Sequence, residues 1–185
     1  MNDISFTSKI IPMKTTDFSR YTSSFPRDNF VDCPWNISTS RVGADVFTNH
    51  IADCTSCLIT DGKKALLMHL CPTNENNHNI NKIQKYITDN LDLKDSLQAV
   101  LVGSQPEKES LDIFTKFKCL LDKLNIPTSI FKTGKSRTHL AYRTCTDEVI
   151  ISSNHIDSGI IQGKNNKDIL TDAFEYVKIS NCDEI

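Results

Sequence analysis

Runs of apolar residues alternate with polar segments along this chain at two different spacings. Short, nearly continuous apolar runs bounded by turn residues predict β-strands at 58–60, 65–70, 98–102, 128–131, 139–143 and 148–152. Apolar residues at three- and four-residue intervals predict one-faced helices over 79–91 and 107–124. The order of strand, helix, strand, helix and three short strands predicts an α/β (α+β) domain, with a mixed β-sheet, antiparallel hairpins and flanking helices.

The two ends of the chain follow a less regular pattern. A strand is predicted at Lys9–Met13 and a further helix over 167–177. Trp35 and the nearby phenylalanines are expected to anchor the first segment on the core. We therefore predict an N-terminal extension, residues 1–44, packed on a domain of residues 45–185, with no repeat or linker that would separate a second domain.

The segment between residues 46 and 72 carries the candidate chemistry. Cys54 and Cys57 precede one apolar run, the tight-turn signal Asp61-Gly62 follows it, and the next run contains His69. If the two runs pair antiparallel, His69 returns to the end of the hairpin where the cysteines lie. Nucleophilic catalysis needs such a pair, because an imidazole can take the thiol proton. The alternative is a packed thiol and a hydrogen-bonded histidine in a non-catalytic binding module.

Composition limits the partners and the compartment. The 185 residues include 21 basic and 23 acidic ones, for a formal charge of −2, so nothing favours nucleic acid or an anionic membrane as a partner. No stretch approaches membrane-spanning length, and no signal-peptide pattern is present at the start. The seven cysteines are unevenly spaced, unlike a secreted disulfide framework. We expect a cytoplasmic protein, or an effector exported without a cleavable signal.

The residues around the first of these cysteines follow a recognisable pattern. In Ile51-Ala52-Asp53-Cys54 the cysteine has Thr48 six positions before it and His69 fifteen after it. This pattern resembles the nucleophile motif, preceding threonine and hairpin histidine of the superfamily of CheD chemoreceptor glutamine deamidases and cytotoxic necrotizing factor-type toxins. The later order of elements, with a strand after Asn125-Ile126-Pro127, also resembles CheD-like chains. The resemblance covers roughly residues 45–152.

This resemblance implies a CheD-like layered sandwich and a cysteine-dependent glutamine deamidase that acts on a protein carrying a reactive glutamine and needs no cofactor. Cys54 would attack the side-chain amide, His69 would move the protons, and Thr48 would orient His69. Transglutaminase or peptidase activity at the same site stays open. Asp53 stands where these families have Gly or Ser, and an acidic neighbour is expected to raise the thiol pKa. Cys57 is the alternative nucleophile.

A metal site is the competing prediction for the same cysteines. Cys54-x-x-Cys57 and His69-x-Cys71 offer four zinc ligands in two pairs, as a structural zinc site in a non-catalytic module would. A thiol redox motif is less consistent with the pattern, because such a motif opens a helix, whereas a hairpin turn follows here. Surface or local hydrogen-bond roles are expected for the other histidines, His50, His78, His139 and His155.

Overall fold

A computed structural model describes residues 8–25, 45–72, 79–103, 107–133 and 137–153. These residues form eight strands and three helices. In chain order the elements are β1 (Lys9–Met13), α1 (Thr15–Ser23), β2 (Val46–Ile51), β3 (Thr55–Thr60), β4 (Ala65–Leu70), α2 (Ile80–Asn90), β5 (Gln98–Gly103), α3 (Lys108–Lys123), β6 (Thr128–Lys132), β7 (Thr138–Arg143) and β8 (Glu148–Ser153).

The strands are divided between two four-stranded sheets. The first sheet has the order β1-β8-β7-β2; β1 lies parallel to β8, and the other neighbours are antiparallel. The second sheet has the order β4-β3-β5-β6, with a hairpin between β3 and β4 and a parallel pair of β5 and β6. Parallel strands need a long crossover connection, which α3 provides here.

The two sheets pack face to face, and helices cover their outer faces. Leu58 and Leu67 of the second sheet belong to the apolar core between the sheets. Cys57 and Met68 point the other way and pack in the core beneath α2 and α3. On the outer face of the first sheet, α1 buries Phe18. Because β3 and β4 are buried on both faces, the apolar residues at their centres, 57–59 and 65–68, are consecutive rather than alternating.

The predicted α+β class and the layered sandwich with flanking helices are confirmed. The mixed parallel and antiparallel pairing is confirmed as well, and the strands are divided between two such sheets. The helices predicted over 79–91 and 107–124 are α2 and α3, whereas α1 was not predicted. Trp35 and the helix predicted over 167–177 lie outside the described residues. None of the helices in the described ranges has the length and apolar character needed to cross a membrane.

Candidate active site

His69 lies in β4 on the face that looks toward the first sheet. It is two residues from Leu67, so both side chains share the inner face, and only 6% of His69 is exposed. A buried ring nitrogen needs a polar partner, because leaving one unsatisfied costs about 1–3 kcal/mol. Thr48 of β2 provides this partner, with Oγ1 2.6 Å from Nδ1 of His69. The contact between Thr48 and His69 thus links β2 of the first sheet to β4 of the second.

A β-bulge in β2 leads the chain from Thr48 toward the second sheet. Between Thr48 and Ile51 the register against β7 shifts, so that two residues of β2 face one of β7. His50, within this bulge, has a φ of 58°, a conformation that is costly for residues with a side chain. A bulge bends its strand and changes the direction of the residues that follow. Residues 52–54 then form the bend that carries Cys54.

Cys54 lies immediately before β3 and is half-buried. If the β3–β4 register is extended by one pair, Cys54 stands opposite Cys71, and the electrostatic and hydrogen-bond effects of Cys71 on the Cys54 thiol agree with this placement. His69 is then the diagonal neighbour of Cys54 on the same face. Cα atoms of such neighbours lie about 7–8 Å apart, within reach of an aromatic ring. On this extended register, Cys54 falls at the same end of the inner face as His69 and its partner Thr48.

The surroundings of Cys54 raise the pKa of its thiol. Burial has the largest effect, followed by the nearby Cys71 and by Asp53, whose Oδ1 lies 3.7 Å from the sulfur. Burial removes the water that would stabilise a thiolate, and negative neighbours repel it. The effect expected of Asp53 is confirmed. At neutral pH the resting form of Cys54 is therefore the neutral thiol.

Cys57, the alternative nucleophile, faces away from His69. Neighbouring residues in a strand point to opposite faces, and Ser56, directly opposite His69 in the ladder, takes the inner face. Cys57 is fully buried in the core beneath α2 and α3. Burial raises the pKa of this thiol as well. The sheet itself separates Cys57 from the imidazole, so the geometry favours Cys54.

The four predicted zinc ligands do not converge on one point. Cys57 points into the helix-covered core, while His69 points to the first sheet and contacts Thr48. A structural zinc ion needs four ligands around a single centre. Within residues 8–25, 45–72, 79–103, 107–133 and 137–153, no group of three or more His, Cys, Asp or Glu side chains is placed to hold a metal ion.

Two further histidines lie at the bulge rather than beside Cys54. Nδ1 of His139 lies 3.0 Å from Oδ1 of Asn49, and the rings of His50 and His139 are 5.3 Å apart. These contacts fit the local roles expected from the sequence. His78 and His155 lie outside the described residues.

Gly103 and Thr133, which sequence reasoning did not select, lie against the bend that carries Cys54. Because β5 and β6 are parallel, their carboxyl ends meet at the same end of the sheet. Oγ1 of Thr133 lies 3.3 Å from the carbonyl oxygen of Ala52. A Cβ atom at Gly103 would lie 3.0 Å from the carbonyl oxygen of Cys54. A glycine at a strand end and a threonine in a turn are too common for sequence alone to assign them this role.

No model of a known protein family matches this chain, and no curated protein sequence matches it either. The described residues form an α+β sandwich of two sheets with helices on the outer faces, in which Thr48 and His69 join the sheets and Cys54 lies in the bend before β3.

Proposed function

We propose that the chain is a cysteine-dependent protein glutamine deamidase related to the CheD-like and cytotoxic necrotizing factor-type superfamily. The observation that carries the proposal is the buried 2.6 Å contact between Thr48 and His69; extending the β3–β4 register by one pair puts the half-buried thiol of Cys54 on the same face. Nucleophilic catalysis needs a nucleophile, a base and a third group that orients the base. Cys54, His69 and Thr48 are suited to these roles in that order.

The raised pKa of Cys54 favours a general-base route. In the proposed tautomer, Nδ1–H of His69 donates a hydrogen bond to Oγ1 of Thr48, so Nε2 carries the lone pair. Nε2 accepts the thiol proton while the sulfur of Cys54 attacks the amide carbon of a glutamine side chain. The proton leaves during the attack, because burial and the nearby Cys71 and Asp53 disfavour a thiolate formed beforehand.

The remaining steps return every group to its starting form. The tetrahedral intermediate breaks its C–N bond, and the nitrogen leaves as ammonia after Nε2–H of His69 gives it a proton. Water then attacks the thioester and passes a proton to Nε2, and the C–S bond breaks as Cys54 takes that proton back. The net change is glutamine plus water to glutamate plus ammonia. These steps use no cofactor.

The proposed substrate is a side chain on another protein. Partial exposure of Cys54 allows contact with a glutamine at the surface of a partner, and the resemblance to CheD-like enzymes favours the amide over other acyl groups. The near-balanced charge of the chain gives no support for a nucleic-acid or membrane partner. A cytoplasm, that of the producing cell or of a target cell, would keep the nucleophile reduced.

The test is incubation with a panel of purified cytoplasmic proteins, followed by intact-mass and ammonia measurements. A substrate should gain the small mass of an amide converted to an acid, with one ammonia released per site. Cys54→Ser should abolish both signals. Cys57→Ala, which removes the thiol on the opposite face, is the matched control and should retain them. Retention of either signal in Cys54→Ser would overturn the proposal, and loss of both signals in Cys57→Ala alongside it would identify Cys57 as the nucleophile.

The same incubation separates the related activities. With a fluorescent primary amine present, transfer of the amine to glutamine in place of hydrolysis would identify a transglutaminase. A shortened substrate chain would identify a peptidase. A substrate panel unchanged by any of these measures would argue against amide chemistry at Cys54.

A further inference from the structure

We propose that Gly103 and Thr133 are positioning residues that hold the main chain of Cys54 where its thiol can be used. The catalytic meaning of this inference rests on the proposed function, whereas its geometric basis does not. Cys54 lies in the bend between β2 and β3, and the paired residues on either side are Ile51 and Thr55. Gly103 of β5 and Thr133, which follows β6, both lie against the main chain of this bend.

Thr133 reaches the bend from the end of β6. Its side chain is fully buried, and Oγ1 lies 3.3 Å from the carbonyl oxygen of Ala52 and 3.2 Å from that of Gly103. A hydroxyl group has one proton to donate. Both carbonyl oxygens lie within reach of that proton, and the carbonyl of Gly103 also accepts a hydrogen bond from the backbone N–H of Thr133, at 2.8 Å. The contact with Ala52 ties the bend to the second sheet two residues before Cys54.

Gly103 supports the same bend from the end of β5. Its φ of 154° is rare for residues with a side chain. A Cβ atom there would lie 3.0 Å from the carbonyl oxygen of Cys54, 3.0 Å from Oγ1 of Thr55 and 3.2 Å from Cδ2 of Phe114. Such distances are tighter than nine in ten real Cβ contacts. Any side chain at this position would push against the main chain of Cys54.

Loosening the bend should change two properties of Cys54 in opposite directions. The thiol would leave its half-buried place beside Cys71, which favours the thiolate and speeds reaction with a small alkylating reagent. Catalysis would slow, because a displacement of about 1 Å can cost on the order of 100-fold in rate. Faster alkylation with slower turnover distinguishes positioning from a general loss of stability.

The experiment measures alkylation of Cys54 by iodoacetamide in the full chain, at about pH 8, by peptide mass spectrometry. The exposed Cys145 is the internal reference for reagent activity, and the buried Cys57 reports unfolding. Thr133→Val removes the hydroxyl at nearly constant volume, and Thr133→Ser retains it. Thr128→Val is the matched control, because it removes a hydroxyl at the other end of β6 that bonds to a local carbonyl.

Gly103→Ala provides a second perturbation, with Gly62→Ala as its control. Both glycines have a positive φ, 154° and 84°, but nothing lies within 4 Å of a Cβ atom at Gly62. Gly62→Ala therefore introduces comparable backbone strain but no clash with the main chain of Cys54. If Gly103→Ala does not fold, the threonine variants decide the question.

In Thr133→Val we expect the ratio of Cys54 to Cys145 alkylation to rise roughly threefold or more, with Cys57 still protected. Thr133→Ser and Thr128→Val should keep the ratio of the natural chain. For a protein that the chain deamidates, kcat of Thr133→Val should fall about 10- to 100-fold with little change in KM.

Two results would overturn the positioning role. One is an unchanged alkylation ratio in Thr133→Val, and the other is exposure of Cys57 in that variant, which would assign the hydroxyl to overall stability. A different result would overturn the proposed function. If the ratio changes as expected but the natural chain deamidates no protein, the positioning of Cys54 stands and the deamidase proposal does not.

Discussion

Replacing Thr48 with valine removes the hydroxyl that contacts His69 while keeping the shape of the side chain. The hydrogen bond itself is worth about 1 kcal/mol, and loss of a polar partner for a buried ring nitrogen brings the expected cost to about 1–3 kcal/mol. With 6% of His69 exposed, water cannot readily replace the hydroxyl. For a chain of this length we expect the thermal midpoint to fall by about 2–4 °C for each kcal/mol lost.

The second effect of Thr48→Val is on the histidine tautomer. Without an acceptor for Nδ1–H, the proton can move to Nε2, which then cannot accept the proton of Cys54. We expect kcat to fall about 10- to 100-fold, since each tenfold loss corresponds to about 1.4 kcal/mol. Thr48→Ser, which keeps the hydroxyl, should recover most of the rate. Unchanged kcat in Thr48→Val, alongside the expected loss of stability, would refute the orienting role of Thr48.

Three other substitutions test separate parts of the structure. Asp53→Asn removes a group that raises the pKa of Cys54, so the thiolate fraction at about pH 8 and the alkylation rate should rise a few fold; an unchanged rate would contradict the electrostatic reasoning. Tyr142→Phe removes a buried hydroxyl that donates to Asp147 at 2.8 Å, far from the site, and should lower urea-measured stability by about 1–3 kcal/mol without changing kcat. Cys57→Ala should cost about 1 kcal/mol in the same unfolding assay and retain activity; loss of activity would reopen the choice of nucleophile.

Most of the fold could be predicted because the apolar pattern is strong where the elements are buried. The apolar face of α2, which buries Ile83 and Ile87, recurs at helical spacing. The helix α1 shows little of this pattern, since only Phe18 and Thr22 are buried and no side chain caps its start. The division into two sheets was also hidden, because strands buried on both faces look alike whichever sheet they join.

The site could be predicted in part for a similar reason. A tight turn fixes the register of its hairpin, so the sequence indicated that His69 returns toward Cys54. The choice between Cys54 and Cys57 depends on which face of the strand is the inner one, and this is known only once the first sheet is in place. Thr133 contacts a residue 81 positions away, and such a contact leaves no local pattern.

The most direct test of the proposed chemistry is capture of the acyl intermediate. A protein that the chain deamidates would be mixed with it, quenched in acid within the first turnovers, digested and analysed by mass spectrometry. We predict a glutamyl thioester on Cys54, removed by hydroxylamine, and no adduct on Cys57 or Cys71. A thioester on another cysteine, or continued turnover in Cys54→Ser, would contradict the role of Cys54 as the nucleophile.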